Sequence, residues 1–208
     1  MLDSLDSMSF GYTQGDMTDS DVLQIFRESG ALLTGHFVLT SGRHSDTYFE
    51  KFHVLRYPQH VETLCQVLAE RCAATKPDVV LGPTTLGILL AYEVAKQLGV
   101  TAAYGEKGEG GKRMLRRPEH LVAGQRVLVV DDVLTTGGSI RECMELVESV
   151  GATLCGVGVV VDRSGGKLDF GVPLAATLSI NAVSYAEDEL PAELATVPIT
   201  RPGSTGKK

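Results

Sequence analysis

Apolar positions recur first at helical spacing and then at strand spacing, and the changes of period mark out the elements. Val22, Ile25, Phe26 and Leu33 form a helix-like stripe, and Thr18 with Asp21 makes a capping-box-like start, with Asp in place of Glu. The folded unit therefore begins near Thr18, after a polar and flexible N-terminus over residues 1–17. Between His36 and Val54 the pattern becomes one of short strands, 37–39 and 48–52, separated by the turn-prone run Ser41-Gly-Arg-His-Ser45. This predicts a small β-containing hood over residues 18–57. Pro58 then suits a first helical turn, and Val61, Leu64, Cys65, Leu68, Ala69 and Cys72 share one face of a helix ending near Ala74.

From residue 79 short apolar strands (79–81, 101–104, 126–130, 154–161) alternate with helical stretches (86–98, 140–150). That alternation is the mark of a mainly parallel sheet flanked by helices, so one α/β domain is expected over 18–200 with its core over 58–180. Residues 104–124 interrupt the rhythm with Gly105, Gly108, Gly110 and Gly111 among charges. They predict a flexible loop with Met114 and Leu115 in a short returning strand. Residues 201–208 read as a disordered tail.

Composition narrows the class. With 208 residues, 43% of them hydrophobic and 22% charged, the chain suits one sizeable globular domain. No apolar run approaches the roughly 20 residues of a membrane helix, and the start lacks a basic and apolar export signal, so a cytoplasmic, non-membrane protein is expected. A net charge of -7 disfavours a nucleic-acid partner, because such binding is dominated by Lys and Arg on phosphates. Cys65, Cys72, Cys143 and Cys155 form no CxxC pair and read as buried, reduced thiols. The five histidines show no metal-ligand spacing, so no protein-held metal is assigned.

The chemistry concentrates in Arg126-Val-Leu-Val-Val-Asp-Asp-Val-Leu-Thr-Thr-Gly-Gly-Ser-Ile-Arg141. An apolar strand ends in adjacent carboxylates, Asp131 and Asp132, and Thr135, Thr136, Gly137, Gly138 and Ser139 open a helix. In an open parallel sheet, ligands bind at the carboxyl ends of strands. A Gly-rich turn into a helix offers backbone N–H groups, hydroxyls and the positive end of the helix dipole, all suited to a phosphate. A phosphate alone would be repelled by two carboxylates, whereas the vicinal hydroxyls of a sugar need acceptors. The run therefore points to a ribose 5-phosphate unit. Gly110-Gly-Lys112 fails as a P-loop because Arg113 follows the Lys, and Gly156-Val-Gly158 lies within a strand.

The same run resembles the phosphoribosyl pyrophosphate signature of type I phosphoribosyltransferases. Further matches look like orotate phosphoribosyltransferase of a short-loop bacterial subgroup: Gly35-His-Phe-Val-Leu-Thr-Ser-Gly-Arg-His-Ser45, Tyr48-Phe49, Leu81-Gly-Pro83 with Gly87, Glu106-Lys107 and Val161-Asp-Arg163. The resemblance implies the type I phosphoribosyltransferase fold and transfer of a phosphoribosyl group to orotate in pyrimidine biosynthesis, giving orotidine 5'-monophosphate and pyrophosphate. It implies Asp131 and Asp132 on the ribose, Thr135, Thr136, Gly137, Gly138 and Ser139 on the 5-phosphate, and Lys107, Lys112 and Arg113 over the pyrophosphate. Thr135, Arg163, Tyr48 and Phe49 then form the orotate site. Substrate-borne magnesium and a homodimer are likewise implied, while Arg43 either binds phosphate or fixes its turn. Thr40 and Leu86 stand where many orotate enzymes have Lys. These departures keep open a purine or another pyrimidine as the base, or a regulator that senses phosphoribosyl pyrophosphate without turning it over.

Overall fold

In the computed structural model, the described residues are 17–39, 42–108, 110, 112–180 and 183–202. Residues 1–16 of the expected flexible start, Thr40, Ser41, Gly111 and the last six residues of the expected tail lie outside them. Helix α1 (Asp19–Glu28) opens with the capping box: Thr18 Oγ1 accepts the Asp21 N–H and the Asp21 carboxylate accepts the Thr18 N–H. Strands β1 (Leu32–Val38) and β2 (His44–Phe49) pair antiparallel, followed by the short α2 (Lys51–Leu55) and by α3 (Pro58–Cys72). Then come β3 (Val79–Pro83), α4 (Leu86–Leu98), β4 (Thr101–Lys107), β5 (Arg113–Met114), β6 (Arg126–Leu134), α5 (Gly138–Ser149), β7 (Thr153–Asp162), β8 (Leu174–Ser179), α6 (Ala192–Ala195) and β9 (Ile199–Thr200).

Three sequence expectations are corrected. Leu33 leaves the helical stripe, because α1 stops at Glu28 and Gly30 turns the chain with φ 68° into β1. The strand expected over 48–52 ends at Phe49, because the Glu50 carboxylate accepts the Phe52 N–H and caps α2. The short strand expected at Met114 and Leu115 is Arg113–Met114, and β8 is a strand that the sequence pattern does not mark.

The larger sheet has the order β5-β4-β3-β6-β7-β8, parallel throughout except for the edge strand β5. Its strands are apolar on both sides because both faces are covered. Val80, Leu128, Val130 and Val160 pack under α1, α3 and α4, while Val79, Leu81, Val127, Val129, Val157 and Val159 pack under α5. A fully buried side chain such as Leu128 is worth about 2–5 kcal/mol against Ala at its position. The second sheet, β2-β1-β9, forms the hood and brings the C-terminal segment back beside β1. His36 Nε2 lies 2.7 Å from His44 Nδ1 and His36 Nδ1 lies 3.0 Å from the Val197 carbonyl, which ties that segment down. All four cysteines are buried and unpaired, and burial pushes the Cys65, Cys72 and Cys143 thiols up to about 12.

Candidate active site

Chain order places β4 on one side of β3 and β6 on the other, so the crevice at the carboxyl ends of β3 and β6 is a topological switch point, where open α/β sheets bind ligands. Three segments meet there. The first follows β6, which runs through the acidic pair and continues to Leu134 rather than stopping at the carboxylates. Asp131 and Asp132 are both buried. Asp131 Oδ1 accepts the Asp132 N–H at 2.8 Å, and Asp132 Oδ1 accepts the Val133 N–H at 2.6 Å. Burial, reinforced by the neighbouring Asp132 charge, pushes the Asp131 carboxyl from 3.8 to about 6.

Beyond the pair, Thr135, Thr136, Gly137, Gly138 and Ser139 line a cleft of about 280 Å³ together with Asp131 and Glu142. Gly137 holds φ 79° and caps α5. A side chain there would be strained and would bring a Cβ within 3.0 Å of Phe170 Cζ, so glycine is required. The α5 amide groups of the first turn and the exposed Thr135 and Thr136 make a cradle for a small anion.

The second segment joins β3 to α4. Gly82 and Gly87 let strand and helix approach so closely that a Cβ on Gly82 would overlap the Gly87 carbonyl. The Thr84–Thr85 peptide is cis, and Leu86 begins the helix without a charge. The third is the β4–β5 hairpin, in which Lys107 pairs in register with Arg113 and the Gly108 N–H donates to the Lys112 carbonyl. Lys107 and Lys112 are exposed. Arg113 is folded inward, its side chain 3% exposed: Nη1 donates to Thr84 Oγ1 and the Gly105 carbonyl, and Nε is ion-paired with Glu142 at 3.0 Å. Arg113 thus ties together all three segments.

Beside the crevice a cavity of about 530 Å³, within the usual range for a small ligand, is lined by Leu32, Phe49, Leu178 and Ile180, with Arg27 and Arg163 as its cations. Phe49 lies edge-on to Phe26 with ring centroids 4.8 Å apart, so it serves the core and the cavity together. Tyr48 packs on Phe37 at 5.5 Å. Burial lowers the Arg163 pKa from its ordinary value, and the Tyr48 hydroxyl partly offsets this. Arg43 is engaged by Ser184, through its Oγ and its carbonyl, which fixes the turn. Lys51, Arg27 and Glu142 were not singled out in the sequence. Lys51 and Arg27 are remote along the chain from the signature run, Glu142 follows it directly on α5, and no local pattern marks any of the three.

The chain is similar to known proteins in sequence and in fold. A phosphoribosyl transferase domain matches residues 54–170. An orotate phosphoribosyltransferase from Pelotomaculum thermopropionicum is 48% identical over 188 residues, 90% of this chain and 98% of the relative. The chain belongs to the orotate phosphoribosyltransferase family. Among solved structures, the orotate phosphoribosyltransferase of Aeropyrum pernix aligns with a TM-score of 0.66 at 30% identity, covering 76% of this chain and 93% of that one. An adenine phosphoribosyltransferase from Thermoanaerobacter pseudethanolicus aligns with a TM-score of 0.57 at 23% identity, over 64% of this chain and 88% of that one, and shares the fold. The type I phosphoribosyltransferase fold is thus the fold of this family member, with the signature run at its switch point.

Proposed function

We propose that this chain transfers the 5-phosphoribosyl group of 5-phosphoribosyl 1-pyrophosphate to orotate, giving orotidine 5'-monophosphate and pyrophosphate. The observation that carries the reading is one of position. The anion cradle, the acidic pair and a cavity with an aromatic wall and a half-buried arginine stand together at one edge of the sheet, in a chain whose relatives are named for orotate.

The 5-phosphate sits on the α5 N-terminus among Thr135, Thr136, Gly137, Gly138 and Ser139, and Asp131 and Asp132 accept the ribose hydroxyls. A ring nitrogen of orotate bonds to the anomeric carbon as the bond from that carbon to the pyrophosphate oxygen breaks; pyrophosphate leaves with the electron pair, and the proton of the ring nitrogen is lost to solvent. Arg163 meets the orotate carboxylate, for which a planar guanidinium is the matching donor. Tyr48 and Phe49 border the ring, with Thr135 at its edge. Lys107 and Lys112 lie over the leaving group and keep water away from the developing cation. Arg113 serves from below by holding the hairpin, the β3–α4 loop and α5 in register.

Among the described residues no group of three or more His, Cys, Asp or Glu is placed to hold a metal. A magnesium ion carried by the substrate's phosphates suits such a site, because Mg²⁺ keeps water and phosphate ligands. When bound, the ion neutralises charge on the departing pyrophosphate. The exposed apolar side chains Leu89 and Tyr92 on α4 and Phe52 on α2 suit a homodimer contact. A cytoplasmic address agrees with four unpaired thiols, and no described helix is long and apolar enough to cross a membrane.

The test is pyrophosphate release from phosphoribosyl pyrophosphate with magnesium, offering orotate, uracil, hypoxanthine, guanine, adenine or no base in parallel. Release with orotate alone is expected. Release with a different base would keep the transfer chemistry and move the substrate, and binding without release would make the protein a sensor.

A further inference from the structure

The acidic pair carries a cation that belongs to the hood. Nζ of Lys51, the first residue of α2, lies 2.8 Å from Oδ2 of Asp132. The other oxygen of that carboxylate is taken by the Val133 N–H, so backbone and lysine together fix the rotation of the Asp132 side chain. The Lys51 side chain is 40% exposed and the Asp132 side chain 12%. The pair therefore stands at the mouth of the crevice, with its negative partner inside and its positive partner at the rim.

Two features make this contact more than a surface ion pair. Among the described residues it is the only ion pair between the hood and β6, since Arg71 pairs with Asp19, Lys96 with Glu62 and Glu93, Arg113 with Glu142, and Arg116 and Arg117 with Glu106. It also starts an element fixed by its own cap, because Glu50 holds α2 two residues after Phe49, which lines the cavity beside Arg163. A shift of α2 would thus move the Asp132 partner and the base-side wall together.

We propose that Lys51 is a positioning residue of the phosphoribosyl pyrophosphate site, acting through Asp132. It keeps that carboxylate turned to accept a ribose hydroxyl and couples the placement of the hood to binding of the sugar. The inference rests on the phosphoribosyl-transfer reading. It assigns no contact between Lys51 and the reacting atoms.

The experiment compares Lys51→Met, Lys51→Arg and Asp132→Asn with the wild type, using steady-state kinetics, calorimetric binding of phosphoribosyl pyrophosphate with magnesium, and a thermal melt of each variant. Lys51→Met is expected to raise KM and weaken binding for phosphoribosyl pyrophosphate by roughly tenfold or more, the loss of a charge-assisted contact, while KM for orotate moves less than about twofold on the same scale. Lys51→Arg should recover most of the loss. In the Asp132→Asn background, Lys51→Met should weaken binding little further, because the carboxylate it acts through is gone. Unchanged binding in a folded Lys51→Met variant would overturn the proposal, as would an equal loss for both substrates or an undiminished effect in the Asp132→Asn background. A wild type that binds phosphoribosyl pyrophosphate without making nucleotide would sink the transfer reading, and the binding measurements would still decide the role of Lys51.

Discussion

Nε of Arg113 lies 3.0 Å from Oε2 of Glu142, joining the β4–β5 hairpin to the helix whose N-terminus cradles the anion. The same guanidinium reaches Thr84 and the Gly105 carbonyl. Arg113→Met should therefore leave Thr84 and the Gly105 carbonyl without their donor and Glu142 without its counter-charge. We expect a stability loss of about 2 kcal/mol, below the range for fully buried pairs because Glu142 is half-exposed, with a raised KM for phosphoribosyl pyrophosphate. Urea unfolding and steady-state kinetics measure the two. A lower kcat at unchanged stability would instead place Arg113 over the substrate.

Asp131 supplies a pH dependence. Burial, with the Asp132 charge, raises its carboxyl from 3.8 to about 6, so the folded protein holds this proton more tightly than the unfolded chain. Stability from this group then falls as pH rises between about 4 and 6, and the cost is complete above the folded value. Asp131→Asn removes the cost. At pH 8 the variant should be more stable than the wild type by on the order of 2 kcal/mol, with the gap closing below about pH 4, while turnover is lost. Denaturant melts across pH check this, and a gap that widens in acid would contradict the burial account.

Arg163 carries a guanidinium suited to an orotate carboxylate, and it lines the same cavity as Phe49. Arg163→Leu should raise KM for orotate by roughly ten- to a hundredfold, the worth of a charge-assisted hydrogen bond. KM for phosphoribosyl pyrophosphate should stay within about threefold on that scale. Varying each substrate at saturating levels of the other separates the two, and a larger effect on the sugar substrate would reassign the residue.

The parts readable from the sequence were those whose physics is local. Asp131, Asp132 and the hydroxyl and glycine run to Ser139 are contiguous, so strand, acceptors, anion cradle and helix start could be read together. The capping box at Thr18 was legible for the same reason. Helix α2 was not, because Phe52 and Val54 alternate as a strand would and the deciding hydrogen bond comes from the Glu50 side chain. Lys51 and Glu142 take their meaning from partners far along the chain, Asp132 and Arg113. A charged residue on a helix carries no mark of such a partner. The pairing of β9 with β1 is equally non-local, since only the folded hood brings Ile199 beside His36.

The most direct test of the central claim is the initial rate of orotidine 5'-monophosphate formation from orotate and phosphoribosyl pyrophosphate with magnesium, for the wild type and the Asp131→Asn, Asp132→Asn double variant. Nucleotide formation by the wild type and none by a folded double variant is the predicted result. Equal rates in the two proteins would contradict the assignment of the acidic pair to the ribose, and no nucleotide from the wild type would contradict the reaction itself.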